Sequence, residues 1–222
     1  MSEISDQHKA VLAKLSAASK RAGQDPAQLV AVSKVQPDAR IAEMLKTGQR
    51  IFGENRVQEA QIRWGQSFSD AREGLELRLI GPLQTNKAAD AVALFDVIET
   101  VDREKLLKAL VKAAEATGKM PRLYVQVNTG EEAQKSGVLP AELPAFLTLM
   151  RATYNLEPEG LMCIPPAGEA ASPHFWMLSN LAKENGVEKL SMGMSGDYEI
   201  AAEMGATSVR VGSALFGARD YS

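Results

Sequence analysis

The residues able to do chemistry are one lysine, two loops of glycines and hydroxyls, and one arginine in apolar surroundings. Lys34 directly follows Leu29–Ser33, a run that reads as a buried strand, so its amine stands at a strand's carboxyl end. Partly desolvated, a lysine amine has a lowered pKa and attacks carbonyls to form a Schiff base. Left on a surface, it is only a solvated cation. Ser191-Met192-Gly193-Met194-Ser195-Gly196-Asp197 and Gly212-Ser213-Ala214-Leu215-Phe216-Gly217 each join an apolar run to helical sequence. Glycines let backbone N–H groups approach an anion, hydroxyls donate to its oxygens, and helix N-termini favour negative charge. One such loop reads equally well as a helix cap and a tight turn. Two of them, after the last two strands, point to a phosphate.

Arg210 lies in Ser208-Val209-Arg210-Val211-Gly212, two residues before the second loop. A buried arginine needs an acceptor, and a pyridine nitrogen would be one. A Schiff-base lysine beside a phosphate cradle suits pyridoxal 5′-phosphate or an aldolase acting on a phosphorylated sugar. Arg210 favours the first. An arginine partner would leave the ring nitrogen unprotonated and weaken the ring as an electron sink, where an aspartate would strengthen it.

The elements that position these residues alternate. An opening helix places Val11, Leu12, Leu15 and Ala18 on one face. Short apolar runs follow at Leu29–Val32, Ile51-Phe52, Leu77–Ile80, Val97-Ile98, Leu123–Val127, Gly160–Cys163, Lys189–Met192 and Ser208–Val211, each with helical sequence after it. The helices include Asp38–Thr47, Thr85–Leu94, Asp102–Thr117 with Asp102 as its expected N-cap, and Ala141–Arg151. Eight strand–helix units predict an α/β protein: a single (β/α)8 TIM-like barrel with an extra N-terminal helix. An open doubly wound sheet is the competing reading, but no G-x-G-x-x-G or G-x-x-x-x-G-K-[ST] supports it. In a barrel the two glycine loops fall after strands seven and eight, where phosphates are commonly held.

Composition excludes several classes. With 25 basic and 28 acidic residues, the net charge of −3 gives no footprint for nucleic acid or anionic membranes. Cys163 is the only cysteine, and His8 and His174 lie far apart, so neither a disulfide within the chain nor a zinc site is expected. No apolar run approaches a membrane span, and the first residues lack a secretory pattern. One cytoplasmic domain over residues 1–222 is the expectation. Cys163 reads as core, and Met192 with Met194 as packing around a loop.

Several segments resemble the pyridoxal phosphate homeostasis proteins of the YggS/PROSC type. They are Val32-Ser33-Lys34, Phe52-Gly53-Glu54-Asn55-Arg56-Val57-Gln58-Glu59, Ile80-Gly81-Pro82-Leu83-Gln84-Thr85-Asn86-Lys87, and Asn128 to Gly137. Gly160-Leu161-Met162, Leu190 to Ser195, Val209-Arg210-Val211-Gly212 and Phe216-Gly217-Ala218-Arg219 complete the set in the same order. The resemblance implies the alanine racemase N-terminal barrel, with pyridoxal 5′-phosphate held as an aldimine on Lys34. It also implies phosphate contacts from Ser195, Gly212 and Ser213, Ser191 close by, Arg210 at the pyridine nitrogen and Asn55 near the ring. Two positions depart from the pattern: Arg78 stands where the family often has histidine, and Gln36 where many members have a second lysine. Lys135 matches a family lysine for which the resemblance implies a part in cofactor exchange; a solvated loop lysine is the competing reading.

Three functions then compete: a carrier of pyridoxal phosphate, a racemase using the same imine, and an aldolase without cofactor. A two-base racemase needs a proton-transfer group on each face of its substrate. Racemases resembling this barrel take a tyrosine from a second β domain, for which a chain ending at Ser222 leaves no room. No mapped tyrosine replaces it: Tyr124 lies in a strand, Tyr154 in a connection, Tyr198 on a helix and Tyr221 at the terminus. The expectation is a monomeric carrier for cofactor homeostasis, with weak side activity at most and apo pyridoxal-phosphate enzymes as recipients. Glu99, Glu131 and Glu132 have no spacing that assigns them a role.

Overall fold

A computed structural model describes residues 2–217. Ala218 and Arg219 of the closing motif, and Tyr221, lie outside the described residues. The first helix, α1 (Glu3–Arg21), starts at Ser2, whose hydroxyl accepts from the Ser5 amide, and carries acids in its first turn and bases in its last. Those charges complement the helix dipole. Val11, Leu15 and Ala18 are buried as expected, whereas Leu12 is exposed, one helical step off the packed stripe.

Eight parallel strands close into a barrel in sequence order, with β1 pairing β8. They are β1 (Gln28–Val32), β2 (Ile51–Glu54), β3 (Glu76–Leu79), β4 (Val97–Val101), β5 (Arg122–Val127), β6 (Gly160–Cys163), β7 (Lys189–Ser191) and β8 (Ser208–Val211). The helices between them are α2 (Asp38–Lys46), α3 (Val57–Ile62), α4 (Ala88–Leu94), α5 (Glu104–Thr117), α6 (Leu143–Tyr154), α7 (Ser172–Glu184), α8 (Tyr198–Glu203) and α9 (Ser213–Phe216). The predicted barrel and its extra helix are therefore both present.

Some boundaries differ from expectation for local reasons. The second strand runs two residues beyond Ile51-Phe52 because Gly53 and Glu54 pair with Arg78 and Leu79. The stretch predicted as a helix from Thr85 begins as a 3-10 turn, Thr85–Lys87, before α4. Asp102 does not cap α5; Arg103 occupies the cap, and the Asp102 carboxylate pairs with its guanidinium instead.

The main apolar core lies between the strands and the surrounding helices. Inside the barrel, Val97, Tyr124 and Met162 form a separate small cluster. Beside that cluster the interior is polar, and there the structure departs most from a filled hydrocarbon barrel.

Candidate functional site

Lys34 emerges half-buried from β1, followed by Val35 at φ +61°. A β-branched residue seldom adopts this left-handed geometry, which costs about 1–3 kcal/mol and persists only where the surroundings impose it. They do so through Glu54. Its Oε1 accepts from the Ser33 hydroxyl at 2.7 Å, from Arg63 Nη1 at 2.8 Å and from Trp64 Nε1 at 3.1 Å. Arg63 in turn donates to the carbonyls of Ser33 and Gln36 at 3.0 and 2.8 Å, bracketing the lysine's loop. Arg63 and Trp64 open a π turn at Arg63–Ser67 that continues α3. Pattern reading missed this clamp, because its parts are an acid and an arginine nine residues apart on different elements.

On the far side, Ser195 after β7 and Gly212-Ser213 after β8 come together. The Ser195 hydroxyl accepts from the backbone N–H of Gly212 at 3.1 Å and of Ala214 at 3.4 Å. It thus marks where N–H groups converge, across two loops rather than as a cap of its own helix. Gly193 has φ +89°, and a Cβ there would lie 2.4 Å from Ala201 Cβ, so the turn needs glycine. Its carbonyl accepts from the Arg210 amide.

Arg210 forms part of the floor. Its Nη1 donates to the Ser191 hydroxyl at 2.6 Å and its Nη2 to the Cys163 carbonyl at 2.8 Å. Ser191 donates onward to Glu99 Oε2 at 2.6 Å. Glu99 Oε1 accepts from Arg78 Nη1 at 3.0 Å, and Arg78 reaches Glu76, Gln28 and Ser208. Arg78 does point inward, and its pKa is raised because Glu99 and Glu76 outweigh the cost of burial. Burial pushes the Cys163 thiol up to about 12, leaving it an unreactive core residue.

Lys34, Asn55, Ser195, Arg210, Gly212 and Ser213 line one cavity of about 240 Å³ at the carboxyl ends of the strands. Asn55 also borders a larger basin of about 610 Å³. Its Oδ1 is buried without a hydrogen-bond partner, so a donor within the cavity would satisfy it. Gly81 makes its position possible, since a Cβ there would meet the Asn55 carbonyl oxygen at 2.3 Å.

Comparison with known proteins gives this geometry a family. Residues 7–220 match the model described as the alanine racemase N-terminal domain. The pyridoxal phosphate homeostasis protein of Pseudomonas aeruginosa is 41% identical over 100% of this chain and 98% of its own length. The chain belongs to the pyridoxal phosphate homeostasis proteins. Among solved structures, PipY of Synechococcus elongatus PCC7942 without pyridoxal phosphate is 36% identical, with a TM-score of 0.87 over 97% of this chain and 100% of its own. The same protein with pyridoxal phosphate bound is 35% identical, with a TM-score of 0.83 over the same shares.

Within this homeostasis family fold, six of the seven expected site residues meet around one cavity. Ser191 does not line it; fully buried, it bridges Glu99 and Arg210. Lys135 pairs with Glu132 at 2.5 Å on an adjoining cavity wall, beside Ile80 and Ile164, which also border the Lys34 cavity. Tyr124 is buried, Tyr154 bonds Glu104, and Tyr198 packs in the core, so none of the described tyrosines borders the cavity. Among the described residues no acidic, histidine or cysteine cluster could hold a metal.

Proposed function

We propose that this chain holds pyridoxal 5′-phosphate as an imine on Lys34 and serves its homeostasis and delivery without robust turnover. The observation that carries the reading is the convergence of Lys34, Arg210 and both glycine–serine loops on one cavity. The donor set fits the cofactor: an amine for the aldehyde, N–H groups and hydroxyls for the phosphate, a guanidinium for the ring nitrogen, and the orphaned Asn55 oxygen for a ring hydroxyl. When bound, the cofactor supplies an electrophilic carbon that exchanges between amines.

The non-catalytic part rests on what borders the cavity. Among the described residues Lys34 is its one amine and no phenol joins it, and an arginine can only donate a hydrogen bond to the ring nitrogen. Residues 1–222 would act as one cofactor-binding domain, in the cytoplasm and as a monomer, with apo pyridoxal-phosphate enzymes as recipients. No helix among the described residues is long and apolar enough to cross a membrane.

The purified protein mixed with pyridoxal phosphate should show a visible imine band, and borohydride should fix a pyridoxyl group on the Lys34 peptide. Lys34→Ala should lose both. An undiminished band in Lys34→Ala overturns the attachment site. Steady-state turnover of an amino acid, abolished by that substitution, overturns the carrier reading in favour of a racemase-like enzyme.

A further inference from the structure

Arg210, Ser191, Glu99 and Arg78 make a continuous buried chain from the cavity to the opposite end of the barrel. Its direction is fixed by chemistry. Guanidinium groups only donate, so the single Ser191 proton must go to Glu99 while the oxygen accepts from Arg210. Glu99 is fully buried, a costly place for a carboxylate unless its oxygens are occupied. Arg78 takes Oε1 at 3.0 Å, Ser191 takes Oε2 at 2.6 Å, and Arg210 Nη1 lies 3.9 Å from Oε2.

We propose that Glu99 is a positioning residue for Arg210, holding its guanidinium toward the cavity through the Ser191 hydroxyl, with Arg78 as the counter-charge that keeps Glu99 from seizing Arg210 directly. This rests on the proposed binding of pyridoxal phosphate beside Arg210. The geometry explains why Glu99 and Arg78 are present together. With Glu99 alone, two opposite charges under 4 Å apart in a poorly screened interior would close into a direct pair. Arg210 would then leave the Ser191 hydroxyl and the Cys163 carbonyl that aim it. Arg78, anchored by Glu76, Gln28 and Ser208, draws the carboxylate the other way. With Arg78 alone, two cations would share the floor without an anion between them. The other ionisable groups acting on this floor are Glu76 and Arg122 beside Arg78, the Cys163 thiol beside Arg210, and Tyr124 from β5, with burial holding both the thiol and the phenol in their neutral forms.

The test uses the pyridoxal-phosphate-loaded protein and reads the pH midpoint of its visible band alongside cofactor affinity. In Glu99→Gln the midpoint should move by about one pH unit and affinity should fall about tenfold, as expected where a buried charge loses its partner. Ser191→Ala removes the relay and leaves every charge in place, so it should move both in the same direction by less. It also decides the matter if Glu99→Gln does not fold. A general loss of packing would weaken affinity without moving the midpoint. Folded variants with the wild-type midpoint and affinity overturn the inference while leaving the cofactor reading intact. A wild-type protein with no visible band removes both.

Discussion

On the β7–β8 side the cavity is lined by Met194, Ser195, Gly196, Gly212 and Ser213, where two backbone N–H groups and a hydroxyl are drawn together. On its floor Arg210 of β8 lines the cavity, and behind it lie the buried Ser191 of β7, Glu99 of β4 and Arg78 of β3, a network bonded across up to 130 residues of sequence only because the barrel closes. The first wall is made by local chain geometry, and exchanging a side chain there leaves the backbone donors in place. The second is made by mutual satisfaction of charges out of water, so removing one member strands the rest. One cavity thus pairs a forgiving rim with an unforgiving floor.

That contrast predicts its largest effect for Arg78. Replacing it by methionine breaks its bonds to Glu99, Glu76, Gln28 and Ser208 in the interior and should cost about 3 kcal/mol, or roughly 6–12 °C in Tm. Arg122 makes as many ion pairs, to Glu76 and Glu159, but its side chain is 44% exposed. Arg122→Ala should cost about 1 kcal/mol or less. Thermal or denaturant unfolding of the two variants compares them directly, and equal losses would show that burial of the floor charges adds nothing to their cost.

The loop side should show the reverse pattern, a large change in binding with a small one in stability. Ser195→Ala and Ser213→Ala should each weaken pyridoxal 5′-phosphate by about 5- to 150-fold, as for a lost charge-assisted bond. Loss of the Ser195 bonds to Gly212 and Ala214 should cost about 1 kcal/mol of stability, comparable to a helix cap. Titrating pyridoxal beside its phosphate separates the contributions. Equal affinity for the two would remove the phosphate role from both loops.

The same division explains how much of the molecule was legible in its sequence. The eight strands could be read because each apolar run is local, and the loop residues because Gly and Ser have conformational and capping meanings wherever they stand. Lys34 was legible from its place at a strand end. Glu99 and Glu54 were not, since a buried acid declares itself only through distant partners, Arg78 and Ser191 for one and Arg63 and Trp64 for the other. Ser191 sits in a readable motif, yet its role is set by β4 and β8 and differs from that of Ser195 four residues on. Leu12 shows the same limit on a helix, where a stripe drawn from spacing alone was one residue too wide.

The smallest effect concerns a group remote from both walls and serves to show that they can be measured separately from global stability. His8 on α1 is buried with Nε2 3.2 Å from Gln49 Oε1. Gln49 donates its amide to the carbonyls of Leu29 and Ile51, both at 2.7 Å, at the amino ends of β1 and β2. Its oxygen therefore faces the ring, and His8 donates from Nε2 in the neutral state. Burial lowers the His8 pKa below 6.5, while the Gln49 bond opposes that shift with a smaller effect. The unfolded chain then binds the proton more readily than the folded one. The contribution of neutral His8 is complete above pH 6.5 and is lost as pH falls through the lowered folded value. Glu76 and Glu157, whose pKa values are also lowered, lose their contributions only below the ordinary carboxylate range. Stability should thus decline modestly from pH 7 to 5, and His8→Gln should flatten that part of the curve. Pyridoxal phosphate should raise the whole curve without changing its His8 component, which a denaturant series with and without cofactor would reveal. A His8 component that changed on loading would mean that the cavity and the amino ends of the strands are coupled through the barrel, and that floor and rim cannot be compared as separate regions.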